Sequence, residues 1–122
     1  MRDTLTIEAV PNEGREAATI LAVGSPDVWK DGGGRLSRHG SVAYVAFHEV
    51  NAALLNNLRP ETVVSPALAR DFDCIDLAML LSALRFSGSY KATAFGLPRP
   101  KLIEAEIAQL CPRLDFEIIS EI

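Results

Sequence analysis

Residues 42–47 read Val42-Ala43-Tyr44-Val45-Ala46-Phe47, and residues 62–65 read Thr62-Val63-Val64-Ser65. Short unbroken apolar runs rich in β-branched and aromatic side chains are strands, and the lack of alternation marks strands covered on both faces. Two more runs follow, Tyr90-Lys91-Ala92-Thr93-Ala94-Phe95 and Phe116-Glu117-Ile118-Ile119. Between the runs the period changes to that of a helix. Val50, Ala53, Leu54 and Leu58 share one helical face before Pro60 stops the turn. Leu77, Leu80, Leu81 and Leu84 share another, with Asp73 as N-cap and Gly88 just past the end. Ile103, Ile107 and Leu110 repeat the signature after Pro100, which suits a first helical position, and Pro112 follows. Strand–helix alternation of this kind predicts an α/β fold with a mostly parallel sheet, right-handed crossovers and helices on its faces.

Upstream the pattern is less regular. Leu5-Thr6-Ile7-Glu8-Ala9-Val10 alternates like a half-buried strand, Ala18-Thr19-Ile20-Leu21-Ala22-Val23 reads as a buried one, and Pro11-Asn12-Glu13-Gly14 is a turn between them. Two strands so close leave no crossover helix. They form either an antiparallel pair, or a short helix around residues 13–18 replaces one of them. Residues 25–40, with Pro26, Gly32-Gly33-Gly34 and Gly40, form a loop.

With 122 residues the chain holds one core, so residues 1–122 are expected to be a single domain. Apolar residues at 48% and charged residues at 23% exclude a disordered or coiled-coil chain. Twelve Lys and Arg against sixteen Asp and Glu give a net charge of -4, the wrong sign for a phosphate backbone, so no nucleic-acid partner is expected. The apolar stretch 75–84 is far shorter than the ~20 residues that cross a bilayer, so no membrane span is expected either. The amino terminus lacks the apolar core of a secretory signal, which predicts a cytoplasmic protein with reduced thiols. Cys74 and Cys111 each fall in or beside a helix among apolar neighbours, as buried cysteines do.

Candidate chemistry is sparse. The glycine triplet opens no helix and lacks the Lys-Ser/Thr pair of a phosphate loop. His39 and His48 are the only imidazoles, with no partner at metal-ligand spacing, so neither a metal nor another cofactor is expected. His48 closes the 42–47 strand and Ser65 closes the 62–65 strand, at the carboxyl edge where open α/β sheets place their sites. Gly96 follows the next strand at the same edge, and these three residues mark a candidate ligand pocket. Ser65 lacks the flanking glycines of a nucleophile elbow, since Val63 and Ala67 stand there, so no catalytic residue is assigned. Asp71, Asp73 and Asp76 are explained by helix capping and the macrodipole. Arg99 and Lys101 read as a solvated pair, and Trp29 either pins its loop to the core or lies at a contact surface.

The helix over residues 73–86 is the anomaly. At roughly 100° per residue, Ile75, Met79, Ala83 and Phe86 form a second apolar stripe nearly opposite the leucines. A helix on a sheet needs one stripe. A second one requires cover, and this stripe is expected to sit at a subunit interface, with the amino-terminal segment as the alternative cover, each large side chain covered adding on the order of 1.5–2 kcal/mol.

The layout of residues 42–111 resembles the second half of a response-regulator receiver domain, which has a flavodoxin-like, three-layer α/β/α fold. In this resemblance the 42–47 run corresponds to the third strand, 62–65 to the fourth, 90–95 to the fifth, and the two-faced helix to the fourth helix of a family that dimerises through that helix. Ser65 matches the small hydroxyl residue that ends the fourth strand. The phosphorylated Asp of the family has no counterpart at Phe47-His48-Glu49, Leu97-Pro98 stands for its Lys-Pro, and Gly24-Ser25-Pro26 stands where its acidic pair would be. The resemblance therefore implies a divergent receiver without the phosphorylation residues: a non-catalytic regulatory protein that binds a protein partner and forms a homodimer. The other reading is a small-molecule- or phosphate-binding protein or enzyme using the pocket at the carboxyl ends of the strands.

Overall fold

A computed structural model of the chain describes residues 18–25, 29, 40–94 and 98–120. The elements are β1 (Ala18–Val23), β2 (Gly40–Val45), a 3-10 turn (Phe47–Glu49), α1 (Ala52–Leu58), β3 (Thr62–Pro66), α2 (Cys74–Ala83), β4 (Ser89–Thr93), α3 (Pro100–Leu110) and β5 (Asp115–Ile119). All strand pairs are parallel, in the order β2-β1-β3-β4-β5. This is a flavodoxin-like order, and the parallel sheet with its helices agrees with the alternation in the sequence, which left the strand order open. The expected strand at 5–10, the turn at 11–14, the glycine triplet, His39, Phe95 and Gly96 lie outside the described residues.

Strand register sorts the side chains onto two faces. One row runs Ala43, Leu21, Val63, Tyr90, Phe116 straight across the sheet. Leu55 of α1, Leu77 and Leu81 of α2 and Ile107 of α3 close over this face, so all three helices share one core. The row of opposite parity runs Tyr44, Ala22, Val64, Lys91, Glu117 and changes character on the way. Its apolar half packs under Trp29, which lies between β1 and β2 in the chain and covers the face opposite the helices. Its charged half is at the surface, where Lys91 Nζ and Glu117 Oε1 pair at 2.8 Å. That ion pair, with Lys91 as first cause, draws the Glu117 carboxyl below its ordinary range.

Local chemistry sets the helix ends. Asn51 caps α1 by accepting from Leu54 N–H at 2.8 Å. Asp73 and Asp76 cap α2 reciprocally, each carboxylate accepting the other's backbone N–H, so these acids serve the helix as expected. Pro100 opens α3 at its first position.

The carboxyl end of α2 differs from the sequence expectation. The chain reverses at Arg85, whose φ is 61°, while Arg85 N–H bonds Ser82 O at 3.0 Å and Phe86 N–H bonds Leu81 O at 2.9 Å. This is a Schellman closure with arginine in the place glycine usually takes. Gly88 does not cap the helix. It is needed for space, because a Cβ there would lie 2.6 Å from Phe86 Cζ. The helix therefore stops at Ala83 rather than 86, and Phe86 turns back onto the core instead of extending an outer stripe. Similarly β2 ends at Val45, and Phe47 leaves the strand to stack on Phe72 with ring centroids 4.8 Å apart.

Candidate functional site

Of the residues singled out at the carboxyl edge of the sheet, His48 and Ser65 are described, in different surroundings. Ser65 is 0% exposed. Its Oγ donates to Pro66 O at 2.9 Å and lies 2.6 Å from Tyr90 Oη, so the phenol donates to the serine. Both hydroxyls are thereby satisfied inside the core. Burial pushes the Tyr90 phenol above its ordinary range, with the Ser65 hydrogen bond opposing in part. His48 is exposed in the turn after β2, one step from Glu49, whose carboxylate accepts Ala46 N–H at 2.8 Å. β1 lies between the strands that lead to His48 and Ser65, which puts those strands about 10 Å apart. Gly96 is outside the described residues. Ser65 is sealed in the core while His48 is exposed, and the strands that lead to them are not neighbours.

Cys74 and Cys111 are free and buried, and burial, aided by the charge of Asp73, raises the Cys74 thiol to about 11. Neither is poised as a nucleophile. Among the described residues, no group of three or more His, Cys, Asp or Glu is arranged to hold a metal ion. Among them too, no helix is long and apolar enough to cross a membrane.

A cavity of about 380 Å³ does open at this edge, beside β1 and β2, lined by Gly24, Trp29, Tyr44, Val45, Ala46 and Glu49. Trp29 is 7% exposed, and its indole Nε1 is buried without a hydrogen-bond partner among the described residues. The Trp29 and Tyr44 rings stand 6.4 Å apart at 55°. The sequence marked Trp29 as pin or contact surface; its packing on Ile20, Ala22 and Val64 makes it a pin. The orphaned donor was not legible.

No family model, curated protein or solved structure matches the chain. The sheet order gives the strands other positions than the layout of the sequence assigned to them. The 42–47 run is second among the described strands and lies at the sheet edge, whereas the central third place belongs to Thr62–Pro66. Counted this way, α2 fills the third crossover and α3 the fourth.

On α2 the stripe of Ile75, Met79, Ala83 and Phe86 is divided. Met79 is 52% exposed and Ala83 is exposed, while Ile75 and Phe86 pack partly against the core. The outer surface of α3 adds Leu102 at 59% and Leu110 at 49% exposure.

Proposed function

We propose that the chain is a non-catalytic, receiver-like regulatory module that works by protein–protein contact, as a homodimer through the outer side of α2. The observation that carries this reading is Met79, half exposed beside Ala83 on a helix whose other side is fully buried. The sealed hydroxyl of Ser65 supports the non-catalytic part, and Ser65, Pro66 and Ala67 leave no carboxylate at the end of the central strand. Sedimentation equilibrium tests it. The wild type is expected to be a dimer at tens of micromolar, with Met79→Asp a folded monomer, because one charge facing its copy is desolvated without a partner. A monomeric wild type removes the dimer, and dissociation by Leu102→Asp but not Met79→Asp moves the interface to α3.

The Trp29 cavity favours a second reading, a site for a small neutral planar ligand bearing a hydrogen-bond acceptor. A buried N–H without a partner costs about 1–3 kcal/mol, and an acceptor from outside would relieve it. Benzamide supplies a flat ring and one carbonyl. It is expected to raise the melting temperature of the wild type. Trp29→Phe keeps an aromatic wall, removes the donor and abolishes the shift; an equal shift in both proteins, or none in the wild type, rejects this site.

A further inference from the structure

α1, α2 and α3 all end at the amino-terminal edge of the sheet, and each enters the next strand through a turn that carries an arginine. Arg59 precedes β3, Arg85 precedes β4, and Arg113 precedes β5. These strands are consecutive in the sheet, and neighbouring strands lie about 4.8 Å apart, so the arginines fall in a row along one edge. Two open grooves, of about 490 and 500 Å³, follow the row and share Arg85, Phe86 and Ser87. Arg59 borders the first and Arg113 the second. Leu55 and Leu84 give the first an apolar lining, and Leu114 does so for the second. All three arginines are exposed, and none makes an ion pair or side-chain hydrogen bond with a described residue. Glu61 is the one carboxylate among the lining residues. On a chain of net charge -4, the groove linings carry three arginines against Glu61.

The backbone supplies an independent observation. Among the described residues, Arg59 and Arg85 are the two non-glycine residues with positive φ, at 45° and 61°. The left-handed region disfavours any residue with a Cβ, and glycine is the usual occupant where a helix ends in it. A helix macrodipole favours a cation anywhere in the last turn and gives no reason to place it on the strained residue itself. Both strained residues border the same groove.

We propose that this groove docks an acidic segment of a partner protein, with its carboxylates on Arg59, Arg85 and Arg113 and an apolar side chain against Phe86. Guanidinium pairs with carboxylate in two parallel hydrogen bonds, which suits the three arginines to the carboxylates of one segment. A peptide fits better than nucleic acid because the row is short and the rest of the chain repels a polyanion. The surface lies at the amino edge of the sheet and includes the carboxyl end of α2 through Ser82, Leu84 and Arg85, so peptide binding is measured separately from self-association.

Fluorescence anisotropy with an end-labelled peptide alternating Glu and Leu tests the proposal on the full chain. Binding is expected, weakening as salt rises from ~50 to ~300 mM. Arg59→Gly and Arg85→Gly are expected to weaken it about three- to fivefold each, while raising the melting temperature because glycine relieves the backbone. Arg113→Ala weakens it without that gain. The proposal is overturned by absence of binding, by equal binding of a Lys-Leu peptide, by tighter binding of a single-stranded oligonucleotide, or by unchanged affinity in the glycine variants.

Discussion

Gly88→Ala is expected to destabilise the protein by about 2–3 kcal/mol and to lower its melting temperature by roughly 10 °C. The added methyl would lie 2.6 Å from Phe86 Cζ and closer still to the Glu61 carbonyl oxygen. A ring can swing away. The carbonyl cannot, because Glu61 O accepts Ser89 N–H at 3.0 Å while Glu61 N–H donates to Thr19 O at 2.9 Å, tying β1, β3 and β4 together where they begin. Moving that peptide shifts the entry of two strands, and moving Phe86 opens the Schellman closure of α2. Urea unfolding measures the loss. A variant within about 0.5 kcal/mol of wild type, the usual range for an uneventful surface change, would mean that the close approach of Phe86 and Glu61 at this glycine is wrong.

The same turn shows where sequence reading succeeds and where it stops. The alternation of strand and helix was legible because a buried parallel strand and an amphipathic helix bury different periods of the chain. Ala18–Val23, Thr62–Pro66 and the Pro100 start of α3 lie within a residue of expectation. The aromatic residues near element ends were not legible. Phe47 and Phe86 extend an apolar pattern on paper, and in space each leaves its element to fill a gap in the core. The left-handed position at Arg85 carries no compositional signal, whereas Gly88, three residues on, offers a false one. The arginine row could not be found from spacing, since its members are far apart in the chain and only the strand order makes them neighbours. Ser65 and Tyr90 belong to the same class. Ser65 pairs in register with Ala92, so it meets the phenol two residues away only on the diagonal of the sheet.

That diagonal pair decides what Ser65 does. Ser65→Ala is expected to cost about 2 kcal/mol, because the Tyr90 hydroxyl, wholly buried, loses its acceptor and has no water to turn to. Tyr90→Phe is expected to cost only about 1 kcal/mol, since Ser65 keeps the Pro66 carbonyl as its own acceptor. The double variant should lose less than the sum, with a coupling of ~1 kcal/mol, because removing both hydroxyls leaves neither of them orphaned. The sign carries the functional meaning. A serine retained for chemistry is commonly a burden on its fold, and replacing it leaves stability equal or higher. A serine that completes a buried hydrogen-bonded pair behaves in the opposite way. Denaturation of the four proteins distinguishes the two roles: additive losses, or an Ser65→Ala variant as stable as wild type, would return Ser65 to the candidates for the carboxyl-edge pocket and weaken the case for a module that works by contact alone.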